Sequence, residues 1–299
     1  MFIEVLIVIV IAAFAVLYYM KTGDSFYKFI VDTGTDIYDK YAPFTFKAIR
    51  QKVKDMGQDY TPRQYMIQIA IFAGGAFGIT YLYFYNIITS IIYSIIAVCA
   101  IPYVTYLRSK RIYSEFIFEQ IQVYTTNTIM EFQTTQNFVK AAEGVANSGL
   151  LESPVKDDVR TMIDMAYKDG SIDNALAYMN SKYDFHMTRN MHQLFLQVTR
   201  EGARDTNDVL ENMLTDIDVL VEGVYKDRMD RKNFHGQFIQ FGLLLYGMVA
   251  LIQLLLGAER YAELLNSPVV LVALHFIILF NSYFLLNGEK YYNENVGAE

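Results

Sequence analysis

Between Arg63 and Arg108 the chain carries no Asp, Glu, Lys or Arg, a run of 44 residues rich in Ile, Tyr, Phe and Gly. A helix that crosses the hydrocarbon core needs about 20 apolar residues, so this run is long enough to cross a membrane twice. Tyr83-Phe84-Tyr85-Asn86 in its middle reads as an interfacial turn, because Tyr favours the headgroup level.

Three more spans follow from the same rule. Phe2 to Met20 has Glu4 as its only charge, whereas Phe238 to Gly257 and Pro268 to Asn287 have none. The expected fold is therefore all-α: a polytopic membrane protein with about five transmembrane helices and a helical bundle. The parts run as an anchor span at 1–20, a loop at 21–64, a transmembrane hairpin at 65–106, the bundle at 107–237, a second hairpin at 238–287 and a tail at 288–299. The first span reads as an uncleaved anchor, because no basic segment precedes it and Ala13-Phe14-Ala15 lies inside the apolar stretch.

Lys and Arg in the loops set the orientation. Loop 21–64 has eight: Lys21, Lys28, Lys40, Lys47, Arg50, Lys52, Lys54 and Arg63. The turn near Asn86 has none, and 258–267 has only Arg260. Arg108, Lys110 and Arg111 flank the bundle on one side, and Arg228, Arg231 and Lys232 on the other. These counts put the N-terminus outside, and loop 21–64, the bundle and the tail in the cytoplasm. A net charge of −7 gives no basic stripe for nucleic acid. The single cysteine, Cys99, lies in an apolar span, where a lone Cys is usually a small packing residue.

Within 107–237 apolar residues recur every three or four positions, the mark of amphipathic helices. The stripes are Ile117, Ile121, Tyr124 and Thr128; Val159, Met162, Ile163 and Ala166; Ile172, Ala175, Leu176 and Met179; Met187, Met191, Leu194, Phe195 and Val198. The last helix carries Val209, Met213, Ile217, Leu220, Val224 and Arg228, widened by Leu210, Leu214, Val221 and Tyr225. Pro154 suits a helix start, Gly170 a C-terminal cap and Ser171 the next N-cap. Gly202 ends the helix that carries Arg200 and Glu201, and Asp205 caps the one that runs into the fourth span. Both ends of the bundle are thus expected to be continuous with membrane helices.

The catalytic and cofactor motifs sought are not in the sequence. It has no G-x-x-x-x-G-K-[ST], H-E-x-x-H, C-x-x-C, G-x-S-x-G or Rossmann glycine pattern, so neither an enzyme nor a bound cofactor or metal is expected. His186 and His192 are six apart, on different helix faces. His275 is a titratable group within a span, a candidate for proton or ion handling by position, although a neutral imidazole bonded to a neighbouring helix costs far less. Gln240, Gln253 and Asn281 offer similar interhelical bonds. Gly74-x-x-x-Gly78 is a small-residue packing motif that lets another helix, of this chain or another, come close. Lys168, Asp169, Arg200, Glu201, Arg204 and Asp205 cluster at the two glycine turns. They form either a solvated bundle end with its caps or a docking surface for a cytoplasmic partner.

The order of parts resembles the platform proteins of the type II secretion system F family, closest to the Tad-type pilus platforms. Gly170-Ser171-Ile172-Asp173-Asn174-Ala175-Leu176 looks like the family's Gly-Ser-x-x-x-Ala-Leu turn, and Thr199-Arg200-Glu201-Gly202 is similar to its second glycine turn. The resemblance covers residues 65–287. At an earlier turn the family often has Gly and Ser, whereas this chain has Gln133-Thr134-Thr135, so the first bundle helix is expected to run on without that break. The resemblance implies a non-enzymatic platform in the cytoplasmic (inner) membrane. Its partners would be a cytoplasmic secretion or pilus ATPase, pilin-like subunits, and a second platform protein, either a copy or a sister. The rival readings are a membrane transporter or channel component and a membrane signalling scaffold.

Overall fold

The computed structural model describes residues 46–201 and 206–293, and every regular element among them is a helix. The chain forms two compact units, 1–67 and 68–299. In the first unit α1 (Phe46–Asp55) buries Ile49 and Val53, one turn apart, and carries Lys52 and Lys54 in its last turn, where cations suit the helix dipole. Residues 46–55, within the segment read as a loop, are thus helical. The anchor span expected at 2–20 lies outside the described residues.

α2 (Pro62–Phe84) starts in a reciprocal cap. The Thr61 N–H donates to Gln64 Oε1 at 2.9 Å, and the Gln64 N–H donates to Thr61 Oγ1 at 3.3 Å. Pro62 stands at the first helical position, where its missing N–H costs nothing. The helix stops at the expected aromatic turn. Asn86 then caps α3 (Ile87–Thr135) by accepting from the N–H groups of Ile88 and Thr89 at 2.9 and 3.3 Å.

α3 does not run on past Thr135, contrary to expectation. Gln136 adopts the left-handed conformation at φ 51° and returns its N–H to Phe132 O at 2.8 Å. Asn137 then caps α4 (Phe138–Asn147) by accepting the Lys140 N–H at 3.0 Å. A Gln in this conformation costs about 1–2 kcal/mol, which the two hydrogen bonds offset. α5 (Val155–Asp169), α6 (Asp173–Lys182) and α7 (His186–Glu201) complete the middle of the bundle. α8 (Thr206–Leu256) closes it and continues to Gly257, which turns the chain at φ 81° into the short α9 (Ala258–Leu264). α10 (Pro268–Tyr292) ends the described chain.

The second unit has two apolar cores. One fills the bundle, with Ile121 and Tyr124 of α3, Val145 of α4, Met162 of α5, Leu176 of α6, Phe195 of α7 and Ile217 of α8 among its members. The other joins the spans through Tyr83, Phe84, Tyr246, Val249, Tyr261, Leu274 and Ile278. The expected stripes on α3, α5, α6 and α7 face inward. On α8 the buried seam is Leu210, Ile217 and Val221, while Val209 and Tyr225 face out.

Four helices, α2, α3, α8 and α10, contain stretches long and apolar enough to cross a membrane, and at most 22% of each such stretch is buried by the chain itself. Their outward faces are continuous aliphatic and aromatic surface, Ile88, Leu254, Leu255 and Val269 among the most exposed. A soluble chain rarely exposes so large an apolar surface, whereas lipid takes it without cost. The chain is an all-α, multi-pass membrane protein with four such helices among its described residues.

Candidate functional site

The first glycine turn singled out by sequence and Arg200, which precedes the second, lie together at one end of the bundle. Gly170, at φ 64°, ends α5 and reverses the chain in a conformation that side chains resist. Ser171 does its capping from one position further out than expected, because the boundary residue is Ile172. The Ser171 hydroxyl still accepts the Asp173 N–H at 3.2 Å, and it donates to Asp173 Oδ2 at 2.6 Å. Arg200, in the last turn of α7, reaches across to pair with the same Asp173 carboxylate. The hydrogen bond from Ser171, with the Arg200 charge beside it, holds that carboxyl below the usual range.

Around this pair lies an open hollow of about 320 Å³, lined by Tyr167, Gly170, Ile172, Leu196, Thr199 and Arg200 among others. Lys168 and Asp169 are exposed at its edge, where Asp169 accepts from Asn174 Nδ2 at 3.0 Å. Glu201 closes the α7 backbone. Gly202, Arg204 and Asp205 lie outside the described residues.

The opposite end of the bundle is joined to the membrane helices without a break. α3 has 49 residues and α8 has 51. At about 1.5 Å per residue each is a rod of roughly 75 Å, more than twice the thickness of a hydrocarbon core. Near the membrane α8 packs antiparallel on α10 along a seam of close approaches. A Cβ on Gly242 would stand 2.5 Å from Leu285 Cδ2, and one on Gly288 would stand 2.5 Å from the Phe238 ring. Asn281 Nδ2 donates to Gly242 O at 2.9 Å, and the Tyr246 and Ser282 hydroxyls bond at 2.6 Å.

These two seam glycines escape sequence reading because neither has a small residue four positions away to make a motif: Phe238 and Tyr246 flank Gly242, and Phe284 and Tyr292 flank Gly288. The motif that sequence does show behaves differently. Gly74 and Gly78 are exposed, and no described residue comes within 4 Å of a Cβ placed on either. Cys99 is also exposed on its span, so it is not a packing residue within the described chain.

The polar groups of the spans bond to one another. His275 Nδ1 and the Tyr93 hydroxyl lie 2.7 Å apart, and the imidazole stacks on Phe84 at 4.3 Å between ring centres. Gln253 Nε2 donates to Leu82 O at 2.5 Å. Gln240 is exposed.

Two buried polar clusters inside the bundle carry no sequence signal, since their members are far apart along the chain. On α5, Asp158 accepts from Tyr178 Oη at 2.8 Å, from Lys182 Nζ at 2.5 Å and from Tyr183 Oη at 2.5 Å, the first two on α6 and the third just beyond it. On α7, His192 Nδ1 lies 2.7 Å from Asn180 Oδ1 and Nε2 lies 2.9 Å from the Tyr124 hydroxyl. A carbonyl oxygen only accepts, so Nδ1 carries the proton and Nε2 receives the Tyr124 O–H. Burial pushes the His192 imidazole down to about 3, and it stays neutral. His186 is exposed and bonds locally to Asn190. Among the described residues no group of His, Cys, Asp or Glu has the spacing to hold a metal ion. No family model, characterised protein or solved structure matches the chain.

Proposed function

We propose that this chain is an inner-membrane platform protein of a pilus-assembly or type II secretion machine, nearest to the Tad type. It acts as a mechanical coupler. A cytoplasmic ATPase docks on the free end of the bundle, and its motion passes along α3 and α8 to the membrane helices, where pilin-like subunits are lifted into a growing fibre. A second platform protein, a copy or a sister, completes the assembly.

The observation that supports this reading most is the continuity of α3 and α8 from apolar span to bundle core. Both rods are packed at both ends: Ile121 and Ile217 in the bundle, Ile101 and Val249 where they are apolar all round. Displacing the bundle therefore displaces the spans, as no flexible joint would allow. The orientation rests on the eight Lys and Arg of 21–64, against none at the turn near Asn86.

A transporter needs polar groups or broken helices that line a path. Here His275, Gln253 and Asn281 are each spent on a bond to a neighbouring span, which favours a scaffold over a transporter or channel component. A signalling scaffold would need an external sensing surface, and the loops on the side read as external are short.

The test is crosslinking in cells from reactive groups placed on the Gly170 and Arg200 end of the bundle, read by mass spectrometry. A secretion-type ATPase should be the main adduct, with a second platform chain beside it. Reversing Arg200 to Glu should weaken co-purification of that ATPase and leave membrane insertion intact. Unchanged co-purification after reversal at both Arg200 and Arg204 removes this face, and adducts without any ATPase remove the reading.

A further inference from the structure

Where α3, α8 and α10 leave the membrane they enclose a pocket of about 320 Å³, lined by Arg111, Glu115, Arg228, Arg231, Lys232 and Tyr292 among others. Four cations thus face one another with a single carboxylate, Glu115, among the charged groups of the lining. Like charges at this spacing repel, and the arrangement holds only if each has a partner.

The partners are unevenly shared. Arg111 is well partnered: its Nε donates to Asn293 Oδ1 at 3.0 Å, its Nη1 donates to the Tyr292 hydroxyl at 3.0 Å and to Glu115 at 3.4 Å, and its guanidinium lies over the Tyr292 ring. Arg231 donates to Asp227 at 2.8 Å and lies over Tyr291. Arg228 is different. Its side chain is 14% exposed, and its one bond is a long contact of 3.4 Å from Nη1 to Glu119. Its Nε and Nη2 are sealed from solvent, and no described residue accepts from either. Phe118 and Tyr225 offer only ring faces, 5.3 and 5.5 Å away. Two unmet nitrogens on a guanidinium are costly; both are closed off in this packing, so the Arg228 side chain must turn toward the pocket it lines for its planar fork to meet the oxygens of a phosphate.

The height of the pocket narrows the source of that phosphate. Arg111 lies four residues beyond the charge-free run ending at Leu107, Tyr292 five beyond Asn287, and Lys232 six before Phe238. At about 1.5 Å per residue these offsets are roughly 6 to 9 Å, next to a headgroup layer of about 5–7 Å on each face.

We propose that this pocket binds the phosphate of an anionic phospholipid, with Arg228 as its buried fork and Lys232 at its rim. Lipid seated there joins all three helices at the level where the bundle leaves the membrane. The full chain, purified in neutral detergent, is titrated with phosphatidylglycerol, phosphatidylcholine or inorganic phosphate, and bound lipid is read by native mass spectrometry alongside the melting temperature. Phosphatidylglycerol should bind and stabilise in preference to phosphatidylcholine. Arg228→Gln should weaken it by about fivefold or more, the weight of one cation against an anionic headgroup. Lys232→Gln, at an exposed position that does not threaten the fold, should weaken it by a similar factor, and Lys140→Gln on distant α4 should not. If inorganic phosphate reproduces the full effect, the phosphate site stands and its source is soluble. If phosphatidylglycerol binds no better than phosphatidylcholine, or if both pocket variants keep the wild-type affinity, the site does not exist.

Discussion

Arg108 on α3 clasps Glu289 on α10, the guanidinium giving Nη2 to one carboxylate oxygen and Nε to the other at 3.3 Å. Glu289 is 8% exposed, and it also accepts from Asn293 Nδ2 at 3.1 Å. His235 on α8 brings Nε2 to within 3.2 Å of the same carboxylate, although without hydrogen-bond geometry. One carboxylate therefore collects three helices at the membrane boundary. Glu289→Ala strands these groups together. Because Arg108 is 47% exposed and can rehydrate, the expected loss is about 2 kcal/mol rather than the larger cost of a wholly buried pair. Equilibrium unfolding in mixed micelles measures it, and an unchanged midpoint would show that the clasp contributes nothing.

The α8–α10 seam makes a graded prediction. A methyl on Gly242 meets the far end of Leu285, which can rotate away, whereas a methyl on Gly288 meets the rigid Phe238 ring. Gly288→Ala should therefore destabilise by about 1–3 kcal/mol, and Gly242→Ala by less. Phe238→Leu should rescue Gly288→Ala, giving a coupling energy in a double-mutant cycle. Additive effects of the two changes would show that the ring is not what confines Gly288.

What sequence reading reaches here is what periodicity encodes. The stripes on α3, α5, α6 and α7 are legible because burial repeats every three or four residues, and the uncharged runs are legible because lipid excludes charge. The break at Gln136 is hidden, since that left-handed position carries no glycine to announce it. Arg108 and Glu289 are 181 residues apart, and no local pattern links them. The same holds for Arg228, which the sequence places at the end of the α8 stripe and on a basic flank, with nothing to mark its unmet nitrogens. Gly74-x-x-x-Gly78 shows the opposite failure: the motif is plain, yet no described helix uses it. Of the candidate docking residues, Arg200 is brought to the Gly170 turn by its pairing with Asp173, a contact that spacing alone does not give.

His192 makes stability depend on pH. Burial holds its imidazole at about 3, below the ordinary 6.5, so the folded chain keeps it neutral while the unfolded chain takes up a proton. Its contribution is complete above pH 6.5 and falls as pH drops from there towards 3. The expected slope is about 1.4 kcal/mol per pH unit within that window. His192→Gln should lower stability at neutral pH and flatten this slope. Unfolding midpoints of both forms between pH 7 and about 4.5 decide the matter, and parallel curves would mean that another group carries the dependence.

Asp158 titrates lower down and by the opposite balance. Burial works to raise its carboxyl, but the bonds from Lys182, Tyr183 and Tyr178 outweigh it and hold the group below its ordinary 3.8. A depressed carboxyl stabilises the fold above that ordinary value, and the contribution disappears as pH falls through the folded one. Asp158→Ala removes the one acceptor shared by three donors, and Tyr183, itself buried, is left with an unmet hydroxyl. The expected loss at neutral pH is about 2–3 kcal/mol. Tyr178→Phe should cost less, because Asp158 then keeps two of its three donors. Limited proteolysis of the full chain at the α5–α6 turn reports the same ranking. If Asp158→Ala resists cleavage as well as wild type does, the cluster is not what fastens α6 to α5.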